Sequence, residues 1–432
     1  MYILHCSTDA GDPVELRYDP HTSELLNPDG TPVIAGAADG EFEMATAVSP
    51  ASPGRKTNSP RNLKIQLGLR CNYSCSYCSQ SNEIDTATVT KTADAAEFLG
   101  QLGDWLAAPP SRIEFWGGEP FLYFAKLKVL VPELSRRFPQ ASLLIITNGS
   151  LIDEEIIDFI ERYDIEIAVS HDGPAQFLRG ADPFEEPERA RWLRELWRRR
   201  GPPKRMSFNI VLTAKNRDIS ANRAWFVERV GDPEVALSTE GAVAVYDTQT
   251  LGGSGSWSAA DYAGFRASMI AGFVGGDALR FGTILEKSRD FIDSLHQHRP
   301  SAALGQKCGM DREDELAVDL KGNVMTCQNT GAQGKHGIGS VAELAAVRLD
   351  TSTHWSGREC CNHCPVLQLC KGSCMYLEGD LFAQSCENEY HYNSAILAGI
   401  LKRVTGLNLE RFSGDIRRPR QGKPFPIRVA TS

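Results

Sequence analysis

Three cysteines fall within eight positions in CNYSCSYC, residues 71 to 78, directly after the apolar run LKIQLGL. Thiolates are soft ligands that suit both zinc and iron–sulfur clusters. A structural zinc site closes its tetrahedron with four protein ligands, and an electron-carrying [4Fe–4S] cluster is also held by four. Cys71, Cys75 and Cys78 supply only three, at spacings that a tight loop can wrap around a cubane. One iron is then left to bind a small molecule through an amine and a carboxylate. The other reading is a zinc knuckle with a distant fourth ligand.

A second group lies far downstream. Cys308 and Cys327 are followed by Cys361, Cys364, Cys370, Cys374 and Cys386, with Cys360 beside Cys361. The chain has twelve cysteines, and none falls in the 229 positions between Cys78 and Cys308. In a reducing compartment this usage points to metal or catalysis rather than disulfides. Two separate metal-binding regions are expected, and taken alone the paired CxxC spacing downstream also fits two zinc sites. Cys6 reads as a small buried apolar residue in a strand.

The elements that position these groups follow from the apolar pattern. Residues 1–60 form a small β element and linker: YILHCS and VELRYD are strands, NPDGT is a turn, and AGAADG with SPASPGRKTNSPR is a Gly-, Ser- and Pro-rich connection. From residue 61 to 240, apolar strands alternate with amphipathic helices. The strands are expected at 63–69, 112–117, 142–147, 165–170, 206–213 and 234–239. Six βα units in succession imply a parallel sheet with right-handed crossovers, in the α/β class. Active sites in such sheets lie at the strand C-terminal ends. CNYSCSYC follows the first strand, GGEP the second, NGS the third and SHDGP the fourth, so all four clusters face one end. Residues 241–305 read as a helical bridge, 306–400 as the cysteine-rich domain and 401–432 as a helix end and basic tail. ELAVDLKGNVMTCQN reads as a hairpin turning at Lys321-Gly322-Asn323.

Composition bounds the function. With 432 residues, 42% hydrophobic and 23% charged, the chain has the make-up of an ordinary soluble globular protein. No apolar run reaches the roughly 18 residues of a membrane span, and MYILHCSTDAGDPVEL lacks a secretory pattern. A net charge of −9 argues against nucleic acid as a partner. RARWLRELWRRRGPPKR reads as a solvated helix face, and RRPRQGKPFPIRVATS as a loosely ordered tail. A cytoplasmic protein with no membrane partner is expected.

CNYSCSYC, with Tyr77 before the last cysteine, resembles the signature of radical S-adenosylmethionine (SAM) enzymes, and the order of the other strand-end motifs agrees. The resemblance covers roughly residues 63 to 240 and implies a partial (β/α)6 TIM-like barrel. It implies a [4Fe–4S] cluster on Cys71, Cys75 and Cys78, with SAM at the open iron. Gly117, Gly118, Glu119 and Pro120 match the segment that holds the SAM amino group, Glu119 through charge-assisted hydrogen bonds. Asn148, Ser170 and Asp172 match positions that contact its ribose or carboxylate. No clear adenine motif follows the fifth strand, where Val211 and Leu212 are the nearest candidates. One electron from the cluster is then expected to cleave SAM to methionine and a 5′-deoxyadenosyl radical that abstracts a substrate hydrogen. No catalytic acid or base can be named.

The downstream cysteines look like a SPASM domain, an extension that binds two auxiliary [4Fe–4S] clusters. By position in that pattern Cys361, Cys364, Cys370 and Cys386 hold the second cluster, and Cys308, Cys327 and Cys374 the first. Residues 309 to 326 lack the extra cysteine of a full first site, so Asp314, Cys360, substrate or an open corner completes it. Auxiliary clusters favour net oxidation of substrate. The implied partners are a peptide, expected to be a precursor with a leader, and an electron donor such as flavodoxin or ferredoxin. The function expected is a peptide maturase installing an oxidative thioether, carbon–carbon or ether cross-link. The alternatives are formylglycine formation by an anaerobic sulfatase-maturating enzyme, or a non-catalytic zinc-binding interaction protein. Residues 1–60 are expected to dock a leader by strand addition.

Overall fold

The computed structural model describes residues 1–36, 40–201, 205–242 and 256–419. Parts of the predicted linker and of the basic helix end, and residues 420–432 of the tail, lie outside them. The strands and helices in chain order are β1 (Tyr2–Ser7), β2 (Pro13–Asp19), β3 (Glu24–Leu26), β4 (Asn62–Gln66), α1 (Thr92–Trp105), β5 (Arg112–Trp116), α2 (Phe124–Arg137), β6 (Ser142–Thr147), α3 (Glu154–Arg162), β7 (Glu166–Ser170), α4 (Pro187–Arg200), β8 (Met206–Leu212), α5 (Ile219–Val230) and β9 (Leu237–Ala242). They continue with α6 (Ala259–Gly275), α7 (Gly282–His296), β10 (Glu315–Asp319), β11 (Asn323–Met325), β12 (Gly337–Ser340), α8 (Glu359–Asn362), α9 (Leu367–Cys370), α10 (Gly379–Thr405) and β13 (Asn408–Ser413).

The six expected βα strands form one parallel run, β4 to β9, in sequence order. Their helices are built as their residues dictate. In α3, Asp153 caps the start by accepting from the Ile156 amide at 2.9 Å, and Ile156, Ile157 and Ile160 make one buried stripe. In α5, Asp218 caps the start and Gly231, at φ +83°, ends the helix in the left-handed region. Along β8, Met206, Phe208, Ile210 and Leu212 are buried, and Phe208 meets Phe226 of α5 with ring centroids 5.1 Å apart. Ser207, Asn209 and Val211 therefore point to the opposite, inner face.

Two strand boundaries move. β4 ends at Gln66 rather than 69, because the chain turns away at Gly68, φ +141°. β9 runs 237–242 rather than 234–239, because a turn from Asp232 to Val235 precedes it.

The cysteine-rich region is not a separate layer. β10 pairs in parallel with β4, Val318 opposite Ile65, and β11 and β12 extend the sheet antiparallel to nine strands. The expected hairpin turn is present: Gly322 has φ +77°, and Asp319 accepts from the amides of Lys321 and Asn323.

The N-terminal β element is completed from the other end of the chain. β13 pairs antiparallel with β1 in a sheet ordered β13-β1-β2-β3, so residues 401–419 are more than a helix end and tail. This sheet packs on α7 and α10 through Tyr18 on Phe291 and Phe412 on Tyr390. Both sides of β1 are thus paired, and the outer edge of β3 is taken by residues 31–33, Val33 donating to Leu25 O at 2.9 Å, which leaves β13 as the edge of this sheet open to strand addition among the described residues. The linker is also packed: Val48 and Lys56 are buried, and Gly54 bridges to Leu349.

The basic run on α4 is a solvated face, as expected. Arg198 and Arg199 pair with Glu195, Arg199 also with Asp158 and Glu161, and Arg200 with Asp164. Cys6 is buried in β1, and burial pushes its thiol up to about 11. Among the described residues no helix is long and apolar enough to cross a membrane.

Candidate active site

The ends of β5 to β9 and the loop after β4 open onto one cavity of about 390 Å³. Cys71, Cys75 and Cys78 line it, with Trp116 ending β5 and Gly117 and Gly118 after it, Thr147 ending β6 and Asn148 after it, Ser170 of β7, Val211 of β8 and Glu240 of β9. The sheet must curl for strands five positions apart to share one cavity.

The cysteine loop is fixed from both sides. Asn148 donates to Asn72 Oδ1 at 2.9 Å and lies 3.9 Å from the Cys71 sulfur, and Asn72 donates to Ser150 at 2.8 Å. The Ser76 amide donates to Leu178 O at 2.9 Å, and Tyr73 reaches Ala181 O at 2.7 Å. Burial raises the Cys71 pKa and pushes the Cys75 thiol up to about 11. Such thiols stay protonated at neutral pH unless a metal takes the proton's place. Three thiols lining one cavity wide enough for a small molecule fit a cluster with one open corner.

GGEP joins the second strand-end loop to the cysteine loop. A methyl group at Gly118 would lie 2.3 Å from Arg70 O, and one at Gly117 would lie 2.8 Å from Gly68 O. The Gly118 amide donates to Gly68 O at 3.1 Å and the Glu119 amide to Arg70 O at 3.0 Å. Both glycines therefore let this loop lie directly on the start of the cysteine loop. Glu119 is wholly buried and does not line the cavity. Its Oε1 accepts from the Phe121 amide at 3.0 Å and Thr147 Oγ1 at 2.7 Å, and its Oε2 from the Asn148 amide at 2.7 Å. Burial raises its pKa against these donors. Glu119 is a clamp between two strand-end loops, and Pro120 opens a buried turn behind it.

Asp172 is likewise a support rather than a cavity residue. Its carboxylate is fully buried, accepts from the Val211 amide at 2.9 Å and from the Tyr77 hydroxyl, and lies 3.6 Å from Arg179. Burial raises its pKa. It therefore holds Tyr77 and Arg179, which do line the cavity, and fixes Val211. Leu212 points outward into the core.

Beside it, His171 is buried with Nε2 3.0 Å from Asp182 Oδ1, and its Nδ1 accepts from the Gly173 amide at 3.0 Å. An amide donor at Nδ1 leaves no place for a second proton, and burial lowers the pKa below the ordinary 6.5. The folded state then binds fewer protons than the unfolded one below that value. Stability from this group is full above pH 6.5 and falls as pH drops toward the folded pKa. Urea titrations of wild type and His171→Gln between these limits are expected to show a shallower acid loss in the variant. Equal slopes would contradict this assignment.

Several lining residues come from distant sequence. Asn329, Lys307 and Glu389 bring the C-terminal region over the cavity. Lys307 pairs with the buried Glu389. The segment after Cys78 docks on the same region: Gln80 donates to Asn329 at 2.9 Å, and Glu83 accepts from the Gly331 amide at 2.9 Å. The Glu240 carboxylate has neither a hydrogen bond nor an ion pair among the described residues, while the Glu240 carbonyl accepts from Lys307 Nζ at 3.5 Å. Burial raises its pKa, opposed by the Arg179 charge.

The downstream cysteines fall into two groups. Cys360, Cys361, Cys364, Cys370 and Cys386 line one small enclosed space with Tyr390 and Arg418. Arg418 lies 3.5 Å from the Cys386 sulfur, donates to Cys386 O at 3.0 Å and stacks 3.9 Å over the Tyr390 ring. Arg417 and Arg418, the start of the predicted tail, are therefore packed against the cysteine-rich region. Cys308, Cys327 and Cys374 do not line that space; Met310 and Met375, close in sequence to the first and last of them, pack in one cluster with Ala317, whose partner on β11 is Met325, two residues before Cys327. Asp314 does not join them, for Arg312 takes both of its oxygens at 2.8 and 2.6 Å. Cys360 belongs with the other five-cysteine space. Among the described residues no three His, Cys, Asp or Glu side chains converge on a single-ion site.

Residues 65–227 match the radical SAM superfamily, so the chain carries a radical SAM domain. It is 24% identical over 127 residues to the radical SAM cyclopropyl synthase TigE of Paramaledivibacter caminithermalis, covering 26% of this chain and 27% of that protein. It is 32% identical over 114 residues to the PqqA peptide cyclase of Gluconobacter oxydans, covering 25% and 28%. The chain spans between 27% and 39% of the length of the curated relatives it matches. In fold it resembles native anSMEcpe with bound AdoMet and the Cp18Cys peptide, at a TM-score of 0.56, 18% identity and coverage of 80% of this chain and 98% of that one.

Proposed function

We propose that this protein is a radical SAM maturase of the SPASM type that acts on a ribosomally made peptide and installs an oxidative cross-link. The observation that carries the reading is the shared cavity: three thiols, the glycine-bound second loop and four further strand ends meet there. The names of two relatives, a peptide cyclase and a cyclopropyl synthase, support a peptide substrate and ring-forming chemistry. A [4Fe–4S] cluster with SAM at its open iron supplies, on one-electron reduction, a 5′-deoxyadenosyl radical.

The chain's own residues do the rest. Cys71, Cys75 and Cys78 hold the cluster, and Asn148, through Asn72, fixes the loop that bears them. Gly117, Gly118, Ser170 and Val211 line the cavity that SAM would enter. Tyr77 and Arg179, braced by Asp172, line the same cavity beside the cysteine loop. Lys307, Glu389 and Asn329 cover the mouth and keep water from a radical. Cys361, Cys364, Cys370 and Cys386 would hold one auxiliary cluster, and Cys308, Cys327 and Cys374 another. Clusters held there would accept the electron released when substrate is oxidised, and an electron donor such as flavodoxin or ferredoxin would supply the one that the cluster on Cys71, Cys75 and Cys78 needs.

The test is anaerobic incubation of reduced, reconstituted protein with SAM and candidate precursor peptides, read by mass spectrometry. The reading predicts 5′-deoxyadenosine together with a peptide lighter by two hydrogens and linked at one site. Formylglycine formed on a sulfatase-motif peptide instead would select the sulfatase-maturase alternative. A colourless zinc protein that leaves SAM intact would contradict both.

A further inference from the structure

The group formed by Cys308, Cys327 and Cys374 is one ligand short of a closed cluster. Asp314 is held by Arg312, and Cys360 lies in the other cysteine space. Another carboxylate stands three residues after Cys308, in the turn Cys308-Gly309-Met310-Asp311. Asp311 is only 4% exposed. Its Oδ2 accepts from the Gln306 amide at 3.0 Å, while its Oδ1 is buried and has no hydrogen-bond partner among the described residues. Buried acceptors are rarely left so, because desolvation without a partner costs about 1–3 kcal/mol.

The surroundings hold this carboxylate in place. Gly305 lets it approach closely, since a methyl group there would lie 3.2 Å from Oδ2. Lys56, 5% exposed, donates to Met310 O at 2.7 Å and Arg312 O at 2.8 Å, the carbonyls on either side of Asp311. Burial pushes the Lys56 ammonium down to about 8 against the charges of Asp311, Glu315 and Cys308. A buried ammonium behind a loop bearing a thiol and a free carboxylate oxygen compensates negative charge gathered on the loop's other side.

We infer that Asp311 is the fourth ligand of the first auxiliary site, binding iron through Oδ1 beside Cys308, Cys327 and Cys374. The inference rests on the two-cluster reading of the downstream cysteines. Iron bound there would meet three sulfurs and one oxygen, and no corner would remain for substrate.

The experiment uses the full chain carrying Cys71→Ala, Cys75→Ala and Cys78→Ala, so that only downstream iron remains. Iron per chain and the EPR spectrum of the reduced protein are compared for Asp311 itself and for Asp311→Asn, Asp311→Ala and Asp311→Cys. Two clusters correspond to about eight irons. Asn and Ala are expected to lose one of two signals or convert it to a three-iron form, and Cys to restore a four-iron signal. Asn is nearly isosteric, so it decides the matter if Ala does not fold. Both signals unchanged in Asn would overturn the inference, as would loss in Asn with no rescue by Cys, which would make Asp311 a positioning residue only. If the parent binds only about four irons, the two-cluster reading itself fails, and that outcome is visible before any Asp311 substitution.

Discussion

Cys75→Ala protein, reconstituted and reduced without oxygen, is expected to form 5′-deoxyadenosine at least about 1,000-fold more slowly than wild type, a loss of about 4 kcal/mol in barrier lowering. Two thiols cannot hold a cubane that already has one open corner. Cys75 sits in the middle of the loop, where its carbonyl also accepts from the Cys78 amide at 3.2 Å, so no neighbouring thiol can take its place. Iron content should fall by about four atoms, the downstream iron remaining. Product quantified by liquid chromatography and iron measured on the same sample check both halves. Turnover within tenfold of wild type would show that these cysteines are not the site of SAM cleavage.

Gly118→Ala is expected to be nearly as damaging. The added methyl would meet Arg70 O at 2.3 Å and Leu69 O at 2.5 Å, and these are backbone atoms that cannot rotate aside. Forcing the loops apart would cost about 1–3 kcal/mol as overpacking. It would also break the Gly118 and Glu119 amide bonds to Gly68 and Arg70, each worth about 1 kcal/mol. A fall in Tm and a weakened SAM affinity in the reconstituted protein are expected together. Gly100→Ala in α1 is the control: it meets nothing within 4 Å, and exchanging helical glycine for alanine should stabilise by about 0.5–1 kcal/mol. The two variants therefore move stability in opposite directions. A Gly118→Ala protein indistinguishable from wild type would contradict the loop-on-loop packing.

What could be read in the sequence was local. Strand order from β4 to β9 followed from alternating apolar runs, and the place of CNYSCSYC, GGEP, NGS and SHDGP followed from that order. Roles at those positions were less legible. Glu119 and Asp172 have the residue types to bind a ligand, yet each spends its oxygens on amides and hydroxyls of neighbouring loops. Only the three-dimensional placement of Thr147, Asn148 and Tyr77 reveals that.

Long-range pairing was not legible at all. Lys307, Asn329 and Glu389 carry no motif, and they reach the cavity because β10 pairs with β4 and because α10 packs beside β9, where Tyr392 meets Thr239 at 2.8 Å. β13 reads as the end of a chain until β1 is beside it. Lys56 sits in a stretch whose Pro, Ser and Gly content looks like a free linker. Its burial under the Cys308 loop is set by the C-terminal region, not by its own neighbours.

The most direct measurement is the EPR spectrum of the reduced protein, with Cys308, Cys327, Cys361 and Cys364 replaced by alanine to leave one cluster, recorded before and after SAM is added. A cluster held by three thiolates, with its fourth iron open, must change its signal when the amino and carboxylate groups of SAM occupy that iron. Methionine labelled with nitrogen-15 in the SAM should add a hyperfine coupling. A spectrum that SAM leaves unaltered, with no coupling to the label, would mean that the corner is closed and that the cavity serves another purpose.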